Sequence, residues 1–204
     1  MTVSKQNIAG FREIFQNARI TKITLQLAVI GAGYFIAANI LGASQAREYG
    51  MDATGTGWLF GVGCIFSVLA TRFCPKLRTM IGEKWLIVIT GSMMLGSLFA
   101  ARYVGLWAGS GLIVMRIASS STYRNTRSVV VNAWISSKNR ATALSSLNLL
   151  TQSPYIFLSP LLGMMIDRSS PNMFAWWLGV GIVSGLGFTY LRQILGKRYN
   201  DLNH

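Results

Sequence analysis

The sequence predicts an all-α integral membrane protein. Three observations carry that reading. Charged residues make up 12% of the chain while 51% is hydrophobic, against about 25% charged in soluble domains. The apolar residues gather in six runs, most of them near the ~20 residues a helix needs to cross a bilayer. The cations fall mainly between those runs, and far more of them on one side than on the other. A net charge of +13 would point to nucleic acid in a soluble chain. Cations clustered between apolar runs point instead to the cytoplasmic membrane face.

Residues 1–21 form a polar segment in which Ile8, Phe11, Ile14 and Phe15 recur at helical spacing, with Arg12, Gln16 and Arg19 between them. This reads as a cytoplasmic amphipathic helix lying on the membrane surface. It lacks the short apolar core and cleavage site of a signal peptide, so the first apolar run is expected to stay in the mature protein. Residues 22–204 read as a six-helix transmembrane domain, with spans near 23–41, 56–71, 85–101, 104–134, 144–166 and 174–191.

Gly31 and Gly33 in the first span, and Gly57, Gly61 and Gly63 in the second, suit close helix–helix contact in lipid. Residues 42–54 read as a short polar loop, and 72–84 as a basic loop holding Pro75. Residues 136–140 read as a polar elbow and 167–172 as a turn. Pro154 and Pro160 interrupt the fifth span, so kinks are expected and neighbours must satisfy the freed carbonyls. Trp176 and Trp177 sit where an interface belt is expected.

Orientation follows from the cations. With the N-terminus inside, Lys5, Arg12, Arg19, Lys22, Arg72, Lys76, Arg78, Lys84, Lys138, Arg140, Arg192, Lys197 and Arg198 share one side. Arg47, Arg102 and Arg168 occupy the other. The positive-inside rule then puts both termini in the cytoplasm and makes the chain a multi-pass protein of the cell (inner) membrane.

The fourth span carries the chemistry. Arg116, Arg124 and Arg127 lie within it or at its end, with no carboxylate nearby in sequence. A charge at bilayer depth costs roughly 2.5–3.5 kcal/mol, so such cations face a protein interior or a water-filled cavity. At ~100° per residue, Ser120, Tyr123 and Arg127 fall within about 40° of Arg116, whereas Arg124 lies roughly 80° away. The stripe reads as the polar wall of a substrate path, with Arg116 near the midplane. The competing reading has Arg124 and Arg127 reaching to the cytoplasmic headgroups. Gln26 and Asn39 from the first span, and Asn148 and Gln152 from the fifth, are the other candidates for lining the path, although Asn39 also suits a helix cap.

Several motifs resemble one family. Arg140-Ala141-Thr142-Ala143-Leu144-Ser145 is similar to the RATALS sequence that opens helix eleven in many bacterial members of the major facilitator superfamily (MFS). Asn132 matches an Asn often found at the end of helix ten, and Gly163 to Arg168, with Asp167, resembles the GxxxDR that closes helix eleven. The segment Gly10 to Ile20 resembles the approach to helix seven. The resemblance covers nearly the whole chain. It implies the C-terminal half, helices seven to twelve, of an MFS transporter, built as two three-helix inverted repeats. One departure lies between helices eight and nine: Gly82 and Lys84 fit a degenerate GxxxDRxGR motif, but Thr79 stands where an Asp would be. A larger departure is that the family has about twelve helices, and this chain supplies one half.

The resemblance implies half of a secondary active transporter of small organic molecules, with efflux as one direction it allows. Rocking against a second six-helix half, hetero- or homodimeric, would move the substrate. Membrane lipid and a small-molecule substrate are the other partners, and nucleic acid is not one. The rival reading is a truncated, non-transporting membrane protein that binds or regulates another; a six-helix channel is weaker still. Enzyme chemistry, a cofactor and a metal are not expected. The sequence has no Walker loop and no Cys/His set at metal-ligand spacing, and its single His, His204, is terminal. All six carboxylates lie in predicted loops or ends, so any proton-coupling carboxylate at membrane depth would come from the other half.

Overall fold

The computed structural model describes residues 18–134, 140–168 and 170–201. They are almost wholly helical. We number the α-helices α1 (Ala18–Ile36), α2 (Gly42–Glu48), α3 (Ala53–Ile81), α4 (Glu83–Ala100), α5 (Leu106–Trp134), α6 (Arg140–Arg168) and α7 (Pro171–Asp201). A π-helical stretch, Ala37–Leu41, joins α1 to α2, and a 3-10 turn, Ala101–Tyr103, follows α4. Six long helical segments overlap the six runs read from the sequence. Most of the 1–21 segment lies outside the described residues.

Four stretches among the described residues are long and apolar enough to cross a membrane: Ile23–Glu48, Ala53–Ile81, Glu83–Tyr103 and Pro171–Tyr190. The helices α5 and α6 are as long as α3 but are not among them. In α5, Arg116 and the Ser119–Thr122 run lower the hydropathy of the first half, and two further arginines follow. In α6, the side chains of several residues in the apolar second half lie outside the described ones.

The boundaries differ from the sequence reading in three places. The first span does not end at Leu41, and residues 42–48 are helix rather than loop. Ala46 is fully buried and Gln45 nearly so, and this packing carries the helix on until Gly50, whose φ of +92° turns the chain. The basic stretch from Arg72 is likewise helix, and α3 runs through Pro75 to Ile81. Next to that proline, Cys74 is buried against Thr122 and Thr126 of α5, which holds the helix through the lost hydrogen bond. The break comes instead at Gly82, with φ +82°. Finally, α6 extends to Arg168 and α7 starts at Pro171, so residues 167, 168, 171 and 172 of the expected turn are helix.

The helix α6 continues across both prolines. Pro154 frees the carbonyl of Leu150, and Pro160 that of Ile156. Each is taken by the serine just before the proline: Ser153 donates to Leu150 at 3.1 Å and Ser159 to Ile156 at 3.3 Å. The expected satisfaction of these carbonyls thus comes from the helix itself.

The main core is built from α1, α4, α5, α6 and α7, and includes Leu27, Tyr34, Met94, Leu98, Tyr123, Leu147, Phe174 and Ile182. A smaller cluster of Ala46, Leu59 and Ile113 joins α2, α3 and α5. The outer face of α3 is apolar and bare: Trp58, Ile65, Phe66, Val68 and Phe73 are all exposed. So large an exposed apolar surface suits lipid rather than water. The most extensive packing is α3 on α5, followed by α4 on α5, α1 on α6, α1 on α7 and α4 on α7. Exchanging α1 with α5, α3 with α6 and α4 with α7 maps this set of pairs onto itself.

Candidate functional site

Four rungs of buried polar groups lie along α5. At one end Arg116 is 5% exposed and donates from Nη2 to Gln45 Oε1 at 2.7 Å. Gln45 passes the contact on, its Nε2 donating to Asn172 Oδ1 at 3.0 Å. The backbone N–H of Asn172 donates to Glu48 Oε2 at 2.7 Å, and Ser170 donates to Oε1 of the same carboxylate. This chain of bonds ties α2, α5 and α7 together. Beside it, Tyr49 donates to the carbonyl of Ala101 at 3.0 Å, and its ring lies so close against Gly109 that a Cβ there would not fit. Burial pushes the Tyr49 phenol up, against a smaller opposing pull from the Arg116 charge.

The middle rungs are the tyrosines. Tyr34 donates to the carbonyl of Thr90 at 2.6 Å and sits 3.0 Å from the Ser119 hydroxyl. Tyr123 is fully buried and donates to the carbonyl of Leu27. Their rings pack with centroids 5.2 Å apart.

The last rung is Arg127, 8% exposed. Its Nη1 donates to Thr151 Oγ1 at 3.0 Å and its Nη2 to Asn148 Oδ1 at 2.6 Å. The Tyr123 ring lies 5.9 Å from its guanidinium carbon, within cation–π range. Gly31 makes room here: a Cβ at that position would meet Thr151 Cγ2 at 2.7 Å and Arg127 Nη1 at 3.2 Å. The Nε of Arg127 is buried without a hydrogen-bond partner among the described residues. Among those residues, neither Arg116 nor Arg127 has a carboxylate in salt-bridge range. The ion pair found among them is Arg78 with Glu83, 3.9 Å apart at the surface.

The structure brings some of the sequence candidates together and separates others. Tyr123 and Asn148 meet at Arg127. Arg116 belongs to the distinct Gln45 network. Ser120 and Gln152 are half-buried and Asn148 is exposed. Asn39 is exposed too, but it lies within the π-helical stretch rather than at a helix end, and donates to the carbonyl of Phe35 at 2.7 Å. Gln26 lines a separate groove between α1 and α4. Arg124 is exposed, as its different helix face predicts, with a long 3.4 Å contact to Ser121.

The motif residues scatter. Arg140, Ser145, Asp167, Arg168 and Lys84 are exposed, and nothing lies near a Cβ placed on Gly163. Asn132 keeps a buried Oδ1 without a partner among the described residues. Sequence reasoning left Gln45, Asn172, Thr90, Ser119 and Thr151 out of the site. Thr151 was readable as a polar residue one turn beyond Asn148; Gln45 and Asn172 fell in expected loops, where polar residues carry no signal.

No family model matches the chain, and no curated protein or solved structure matches it.

Proposed function

We propose that the chain is one six-helix half of an MFS-type secondary active transporter, moving small organic molecules across the cytoplasmic membrane together with a second half or a second copy. One observation carries the reading. The polar side of Arg127 is open: its partner Asn148 is exposed. Gly31, at the same level, is eight residues past Ile23, or ~12 Å along the helix. That depth falls inside a hydrocarbon core of ~30 Å. A polar surface there needs a water-filled cavity or another protein against it. A substrate with an anionic or polar group suits the cation behind Asn148. The helix pairing supports the same reading, because an exchange of the first three long segments with the last three is what inverted repeats require.

The test is solvent accessibility. In a Cys64→Ser background, Asn148→Cys is expected to react with a membrane-impermeant thiol reagent in native membranes, and Phe66→Cys on the bare face of α3 to resist it. Labelling should be slowed by co-expression of a second half or by a transported substrate. A lipid-protected Asn148→Cys would overturn the proposal.

A further inference from the structure

A second concavity lies away from the arginines, and its occupant is independent of the transport reading. It is a groove of about 520 Å³ between α1, α4 and α7, with Val130 of α5 at its edge. Its walls are apolar, with Leu27, Ile30, Ile87, Leu95 and Ile182 prominent among them. Its charged groups, Glu83 and Lys84, are confined to one end. There it meets a shallow depression formed by Arg78, Thr79, Gly82, Glu83, Lys84 and Trp85.

Charge and length both say what fits. At the mouth Glu83 is paired with Arg78. Lys84 is exposed beside them, so the mouth carries a net positive charge. Trp85 is 66% exposed, as an interfacial aromatic would be. From Lys84 to Leu95 the groove follows α4 for eleven residues, or ~16 Å. That is about half of a ~30 Å hydrocarbon core, the depth of one leaflet. On the orientation the cations favour, this mouth faces the cytoplasmic leaflet, where anionic lipids concentrate.

We propose that the groove binds an anionic phospholipid. One acyl chain lies along the apolar wall, and the phosphate sits on Lys84 with Arg78 nearby. The N-terminal N–H groups of α4 face the same mouth and favour an anion there.

The experiment is native mass spectrometry of the purified full chain in detergent, with phosphatidylglycerol or phosphatidylcholine of identical acyl chains added at equal concentration. One phosphatidylglycerol should be retained per chain, in preference to phosphatidylcholine. Lys84→Gln, a change at an exposed side chain, should weaken the phosphatidylglycerol affinity about five-fold, read from occupancy across a lipid titration, the effect of one lysine at an anionic surface. Gly91→Leu, which fills the groove, should lower retention of both lipids. Inorganic phosphate in large excess should not displace the lipid. Equal retention of the two lipids, or no response to Lys84→Gln, overturns the proposal. So does displacement by phosphate alone. Binding that emerges only after residues 1–17 are deleted would also overturn it, because the groove would then belong to that segment.

Discussion

Arg116 and Arg127 sit on one stripe of one helix, eleven residues or ~16 Å apart. Both are buried with no carboxylate in range among the described residues, yet their surroundings differ. Arg116 ends in a closed relay through Gln45 to Asn172 and the Glu48 cap of α7. Arg127 bonds to α6, through buried Thr151 and exposed Asn148, and keeps an Nε unbonded among the described residues. A buried cation bonded into neighbouring helices acts as a brace. One whose partner reaches the surface is able to answer to something outside the bundle. The difference between these two sites comes from what covers each of them, since the residue type, helix and face are shared.

Substitutions sharpen that contrast. The largest effect is expected for Arg127→Met on the proposed transport, assayed with a second half present: it should fall roughly 100-fold, about 2.8 kcal/mol at 1.4 kcal/mol per decade. The melting temperature in detergent should barely move, because removing a buried cation also removes its desolvation cost. A drop in melting that parallels the loss of transport would make Arg127 a brace like Arg116.

Arg116→Ala comes next. Losing a charge-assisted bond and leaving Gln45 Oε1 buried and unpaired should cost about 1.5–3 kcal/mol. Gln45→Ala should cost a similar amount. The double variant should cost less than the two singles added, because both cut the same relay. Additive losses would show that the relay is not a unit.

Thr151→Val gives the smallest effect. It removes one hydroxyl acceptor of Arg127 at nearly constant volume, and should cost about 1 kcal/mol by equilibrium unfolding. A larger loss of transport than of stability would tie Thr151 to the role assigned to Arg127.

Much of the fold was legible. The all-helical character follows from long apolar runs, because a helix satisfies its own backbone groups within each segment, and four of the helices are long and apolar enough to cross a membrane. Proline was less reliable as punctuation than Gly50 and Gly82. Pro75 lies inside a helix because Cys74 is packed against α5, and Pro154 and Pro160 because a serine precedes each. The site was legible in half. The 100° rule placed Arg116, Tyr123 and Arg127 on one inward stripe and Arg124 off it, since a single helix is regular. It said nothing of Gln45 or Asn172, which approach from other helices across 71 and 127 residues of sequence separation.

By itself, the sequence determined that the chain is helical, membrane-like, rich in cations and equipped with two arginines on one stripe of a long helix. Composition and periodicity are local quantities, and each can be read along a single strand of text. Only the tertiary structure decided which arginine is locked and which borders an open face, and that a groove with a basic mouth lies between α1 and α4. Those properties depend on how helices distant in sequence pack together. A guanidinium responds to the groups within a few ångströms of it, wherever in the chain they originate.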